Sequence, residues 1–192
     1  WQSRALKRMK VAFDHQIFSL QSHGGISRYF THLARALTYQ GVKARIFAAV
    51  HQNIHLQEGP DVVRTSLWES KRLGKATPLF EPFNRAMGKK WIGEFRPEVL
   101  HQTYYSPKII KTASACQVIT IHDMIPEKFP GKIQRNDPAI ANKKNAILTA
   151  DHIICVSRHT QNDLCEIYSI PEERTSVIHH GYEAFLTDAR AP

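Results

Sequence analysis

Two short stretches combine residue types and spacing suited to holding polar or anionic ligands. In Val118-Ile119-Thr120-Ile121-His122-Asp123-Met124-Ile125-Pro126-Glu127, an apolar strand ends and a histidine and an aspartate fall at its carboxyl edge. His122 is placed there to hydrogen-bond a hydroxyl or accept a proton, and Asp123 to orient it or bind hydroxyls itself. A capped loop with a structural histidine fits the same residues. The second stretch runs from Asp14 to Phe30 and sets Gly24-Gly25 directly before a helical pattern. Paired glycines let backbone amides approach a ligand closely, and a helix N-terminus adds partial positive charge, so a phosphate or diphosphate suits that place. A simple turn also fits a bare Gly-Gly. Its position after a first strand favours the binding reading, because ligands of α/β sheets gather at the carboxyl ends of the strands.

His101 closes Val99-Leu100-His101-Gln102 and has the same topological placement as His122, with Tyr104 and Tyr105 following as candidate pocket walls. Buried strand-end histidines are common, and that alternative stands beside it. Other chemistries find no support. The sequence has no H-E-x-x-H, C-x-x-C, G-x-S-x-G, P-loop or G-x-G-x-x-G pattern, and no metal is expected. His179 and His180 are adjacent, so on a strand they face opposite sides.

The elements that must position these residues alternate between strand and helix. Strands are expected at Lys10–Asp14, Val42–Val50, Asp61–Leu67, Glu98–Gln102, Gln117–Ile121, His152–Val156 and Thr175–His179. A loop is expected through Gly25. Ile26, Phe30, Leu33 and Leu37 then mark one face of a helix that Gly41 stops. Further helices are expected over residues 79–95, from Asp137-Pro138 to about Ala150, and from a Ser157 cap to Tyr168, with a turn at Pro171-Glu172-Glu173. This alternation predicts a doubly wound α/β fold: a Rossmann-like parallel sheet with helices on both faces.

The chain holds 192 residues, of which 42% are hydrophobic, enough for one substantial core. No apolar run approaches the ~18–20 residues that cross a bilayer. Three scattered cysteines exclude a disulfide framework and suit a reducing cytosol. Residues 1–158 carry 24 basic and 11 acidic side chains, whereas residues 159–192 carry 2 basic and 6 acidic. A basic body points to an anionic partner, although solubilising charge accounts for it equally. Nucleic acid is not expected, since no recognised module with aromatics interleaved among basics is present. Residues 70–96 combine seven basic and two acidic side chains with Phe80, Phe83, Met87, Trp91 and Phe95. That stripe is expected to pack on the sheet; a contact with an anionic membrane is the alternative. Residues 1–8 read as an appended extension, and residues 184–192 as a polar linker.

Taken in order, Lys10–Asp14, Gly24-Gly25-Ile26-Ser27-Arg28-Tyr29-Phe30, Leu100–Pro107, Ile119–Glu127, Ala150–Ser157 and Thr175–Glu183 resemble the N-terminal half of a retaining glycosyltransferase of the GT-B fold, family 4. The branch it looks like is that of mannosyltransferase-like enzymes of bacterial polysaccharide biosynthesis. The resemblance implies two Rossmann-like domains with the active site between them, of which residues 9–183 are the acceptor-side one. It implies that Gly24, Gly25 and Arg28 approach the donor diphosphate, and that His122, with Asp123, contacts the transferred sugar. His101, Tyr104, Tyr105 and Ser157 are the implied substrate-binding residues. Many members carry Pro-Asn-Gly where this chain has His179-His180-Gly181.

The family's second domain carries a Glu-x7-Glu pair, and no two glutamates here stand eight apart. The missing C-terminal donor domain is therefore an expected partner, and the isolated chain is expected to be inactive. The implied reaction transfers a hexose, with mannose from GDP-mannose as the branch's instance, from a nucleotide sugar to a lipid-linked or saccharide acceptor. No cofactor beyond that substrate is expected, and the implied location is cytoplasmic, peripheral at the inner face of an anionic membrane. The alternative is a non-catalytic α/β module that binds anionic ligands or partners.

Overall fold

The computed structural model describes residues 9–57, 64–69, 77–112, 114–129 and 138–181. The expected extension at 1–8, the linker at 184–192, the Asp137 cap and the first part of the expected Asp61–Leu67 strand lie outside the described residues. Seven strands form one sheet in which every neighbouring pair is parallel. They are β1 (Lys10–Phe13), β2 (Lys43–Phe47), β4 (Arg64–Thr65), β6 (Val99–Gln102), β7 (Cys116–Ile121), β8 (His152–Cys155) and β9 (Thr175–Val177), in the order β4-β2-β1-β6-β7-β8-β9. The chain winds outward from β1 through β2 to β4, then returns to the other side of β1 and winds outward again from β6 to β9. The direction of winding therefore reverses between β1 and β6, and a crevice forms where loops leave such a switch point in opposite directions.

Both faces of the sheet are covered, so its central strands read as apolar runs and not as alternating ones. Val11 and Phe13 of β1 pack with Phe30 and Ala34 of helix α2 (Gly25–Tyr39), while Ala12 between them packs with Ile92 of helix α4 (Thr77–Phe95) on the opposite face. Farther along, Ile119, Ile121 and Ile153 meet Ala146 and Ile147 of helix α6 (Pro138–Thr149) and Leu164 of helix α7 (Arg158–Tyr168). Residues 79–95 are helical as expected, with Ile92, Trp91 and Phe95 packed against the sheet. The stripe is divided, because Phe83 remains exposed. Gly41, at φ 85°, supplies the left-handed turn that ends the segment after α2.

Four expectations need correction. The loop expected through Gly25 contains helix α1 (Gln16–Leu20), whose Ile17 and Phe18 are fully buried. The expected single strand Val42–Val50 breaks after Phe47, and β3 (Val50–His51) pairs instead with β5 (Trp68–Glu69) in a separate two-stranded sheet. The break is fixed from outside: the Asn84 Oδ1 of α4 accepts the Val50 N–H at 2.7 Å, and the Ala49 carbonyl accepts the amides of Leu67 and Trp68. Short helices α3 (Ile54–Gln57) and α5 (Ile125–Lys128) also form where no helix was expected. Finally, β9 stops at Val177, so His179 and His180 do not lie on a strand and do not face opposite sides.

Candidate functional site

Helix α2 begins at the carboxyl side of the sheet with Gly24 as its N-cap, in extended backbone and without a side-chain cap. Its first turn is closed by the Arg28 N–H donating to the Gly24 carbonyl at 3.1 Å, which leaves the amides of Gly25, Ile26 and Ser27 outside the helical ladder. A Cβ on Gly25 would meet nothing within 4 Å, so the space beside it is open; one on Gly24 would collide with the Gln21 side-chain amide. This end of α2 borders a groove of about 880 Å³. Its basic lining and its imidazoles come from Arg28, His32, His122, His179 and His180, and among the described residues no carboxylate lines it. Tyr29, Ile26, Leu33 and Ile178 supply the apolar part of the wall.

His122 leaves β7 and is held from three directions. Its backbone hydrogen-bonds the Tyr105 hydroxyl. The Lys143 ammonium, buried on α6, donates to the next carbonyl, that of Asp123, at 2.6 Å and to Glu127 Oε2 at 3.0 Å. Its own ring stands with Nδ1 3.3 Å from His180 Nε2, the two imidazoles lying within 9° of parallel. The Tyr29 ring meets both edge-on, with centroids 5.6 Å from His122 and 4.8 Å from His180. Burial, reinforced by the nearby His180, lowers the His122 pKa to about 4, so the ring is neutral at neutral pH.

Behind this layer, His101 is a core residue. Its ring lies 5.5 Å from that of Phe13 and 5.1 Å from that of Phe30, and its Nε2 is 2.9 Å from the Thr120 hydroxyl. Burial, then the neighbouring His122, pulls its pKa down to about 3. The Tyr29 hydroxyl also hydrogen-bonds Thr120, which ties the wall of the groove to the buried histidine.

The structure thus brings Gly25, Arg28 and His122 to one groove, with Gly24 at its rim. It does not bring the other sequence-derived candidates there. Asp123 is exposed and its Oδ1 accepts the Ile125 N–H at 3.1 Å, a turn that starts α5. Tyr104 and Tyr105 stack at 4.6 Å, and Tyr105 packs into the core beside Lys143. Ser157 caps α7, accepting the Thr160 N–H at 3.1 Å. Sequence reasoning did not pair His180 with His122, and it missed Lys143. The latter had a signal: Ile140, Lys143, Ala146, Ile147 and Ala150 share one helical face, and a lysine in an apolar stripe calls for a buried partner. At the switch point itself, buried Asp14 accepts from the Thr103 amide and hydroxyl and from Gln16, which joins the ends of β1 and β6. Among the described residues, no three His, Cys, Asp or Glu side chains converge as a metal site, and no helix is long and apolar enough to cross a membrane.

A parallel α/β sheet wound about a switch point, with a groove at a helix N-terminus on the carboxyl side of its strands, defines a Rossmann-like domain. The family model for Glycosyltransferase Family 4 matches residues 23–184, and the chain belongs to that family. Among solved structures, the sucrose-phosphate synthase of Thermosynechococcus elongatus superposes with a TM-score of 0.63 at 16% identity. The match covers 91% of this chain and 49% of that one, so the chain spans about half the length of the matching structure. No curated protein matches the sequence. The chain therefore carries a glycosyltransferase-family domain.

Proposed function

We propose that the chain is the acceptor-side half of a retaining glycosyltransferase and that its groove seats the diphosphate-sugar end of a nucleotide sugar. The observation that carries this reading is the groove: Gly25 and Ile26 at the unladdered start of α2, Arg28 and the imidazoles of His122 and His180 line one space, and among the described residues no carboxylate lines it. Negative charge develops on the leaving diphosphate during transfer. A helix N-terminus and the Arg28 guanidinium on the same groove wall stabilise that charge. Gly25 keeps the approach on its side free of side chains, while Gly24 leaves room for the Gln21 side-chain amide that packs against it. Neutral imidazoles on the groove wall suit hydrogen bonding to sugar hydroxyls or phosphate oxygens, and the exposed ring of the His122–His180 pair is that of His180. Lys143 and Asp123 hold the turn after His122 and act through it.

The sugar is a hexose, with mannose from GDP-mannose as the first donor to test, and the acceptor is lipid-linked or a saccharide. The second half of the nucleotide site comes from a donor domain carrying Glu-x7-Glu. The basic surplus of residues 1–158 suits phosphate-bearing acceptors at an anionic membrane surface. The test is a donor screen of the full-length protein with acceptor-lipid extracts and mass-spectrometric detection of product. Transfer of one hexose with retention is expected. Failure of every nucleotide sugar to donate would leave the non-catalytic anion-binding module.

A further inference from the structure

We propose that His180 is the imidazole this groove presents to its ligand, with His122 standing behind it as a positioning residue. The proposal rests on the groove being the seat of a diphosphate-sugar group, and it assigns the contact within that seat. His122 has no nitrogen to offer. Its Nε2 is sealed from solvent and has no hydrogen-bond partner, and its Nδ1 is engaged by His180 Nε2 at 3.3 Å. A ligand oxygen approaching His122 must displace His180 first. His180 itself is exposed on the groove wall, and among the described residues no hydrogen bond engages its Nδ1. The Tyr29 ring, edge-on to both imidazoles, limits their rotation.

The shared bond also decides which hydrogen faces the ligand. A neutral imidazole has one N–H and one lone pair. If His180 donated from Nε2, the His122 proton would sit on the sealed Nε2, leaving a buried N–H without an acceptor. Such orphan donors are rarer than unsatisfied acceptors. The opposite arrangement, with His122 Nδ1–H donating to His180 Nε2, leaves only a lone pair sealed. It places the His180 proton on Nδ1, facing the groove. The groove therefore offers its ligand an imidazole N–H beside the amides of α2, a donor matched to a phosphate oxygen.

The experiment follows imidazole nitrogens of the histidine-15N-labelled chain by long-range proton–nitrogen correlation while sodium pyrophosphate is added. In the free chain, His122 and His180 are both expected to be protonated at Nδ1. On addition, the His180 Nδ1 resonance moves, and His180→Ala weakens binding about fivefold, the scale of one neutral hydrogen bond. His122→Ala weakens it less, His122→Asn restores it by returning a donor near the Nδ1 position, and the double alanine variant is no weaker than His180→Ala. If Arg28→Ala weakens binding while His180→Ala does not, or His122→Ala weakens it more than His180→Ala, the assignment is overturned and the groove reading survives. If the unaltered chain binds no pyrophosphate, the groove reading falls and the assignment with it.

Discussion

Replacing Asp14 by Asn and by Ala separates what the carboxylate at the switch point does by charge from what it does by hydrogen bonding. Asp14 is buried, with 1% of its surface exposed, and its two oxygens accept from the Gln16 amide at 3.3 Å, Gln16 Nε2 at 2.6 Å, the Thr103 amide at 3.1 Å and the Thr103 hydroxyl at 2.5 Å. Asp14→Ala leaves these donors without that acceptor. At about 1–3 kcal/mol per buried unsatisfied group, and allowing the Thr103 hydroxyl to turn to the Asp14 carbonyl, the loss is about 4 kcal/mol. Asp14→Asn keeps one oxygen for Thr103 and the Gln16 amide. Its new NH2 meets Gln16 Nε2, but the Gln16 Oε1 is buried without a partner. A flip of that side-chain amide turns the clash into a hydrogen bond.

Burial raises the Asp14 pKa above its ordinary 3.8, against the lowering by His15, Thr103 and Gln16. A raised carboxyl pKa means the folded state favours the protonated form, so this contribution is full below pH 3.8 and is lost as pH rises through the folded pKa. Asn imitates the protonated form at every pH. At pH 7, urea unfolding is expected to show Asp14→Asn at least as stable as the unaltered chain, with the gap closing toward pH 4, and Asp14→Ala about 4 kcal/mol weaker. Equal losses in the two variants would refute the reasoning.

Three further outcomes follow from the same geometry. Lys143→Met strands Glu127 as a buried charge and is expected to cost about 3–5 kcal/mol in urea unfolding, with Lys143→Met/Glu127→Gln recovering most of it; an unrescued double variant would contradict the pairing. His101, with its pKa lowered to about 3, disfavours protonation in the fold, so stability is full above pH 6.5 and is lost as pH falls toward 3. The slope is about 1.4 kcal/mol per pH unit, and His101→Gln is expected to remove it from the pH dependence of unfolding. Ser157→Ala is expected to cost about 1 kcal/mol in thermal unfolding, and Ser157→Asp much less, since Asp also caps.

The fold was legible wherever burial on both sides of a strand writes itself as an apolar run. Ile119-Thr120-Ile121 and His152-Ile153-Ile154-Cys155 could be read that way, as could the spacing of Ile26, Phe30, Leu33 and Leu37. Gln16–Leu20 was not, because five residues show too little helical period and its burial of Ile17 and Phe18 is a tertiary effect. The break after Phe47 was hidden by Ala48-Ala49, which continue the apolar run; only Asn84, some thirty-five residues away, marks it. In the site, Gly24-Gly25 and His122 were found through topology, since both follow strands at the carboxyl edge. His180 was not, because the expected strand ran to His179, past the end of β9 at Val177, and hid the chain path that returns the ring to His122. Asp123, His101 and Ser157 have residue types that fit catalysis and binding, yet a turn, a core and a cap use them.

The most direct measurement is an amide proton–nitrogen map of the chain titrated with a panel of nucleotide sugars that includes GDP-mannose. The account predicts that one donor moves the amides of Gly25, Ile26, Ser27 and Arg28 together with the His180 imidazole, and that inorganic pyrophosphate moves the same group. Shifts confined to the Thr77–Phe95 helix, or none at saturating concentrations of any nucleotide sugar, would contradict it.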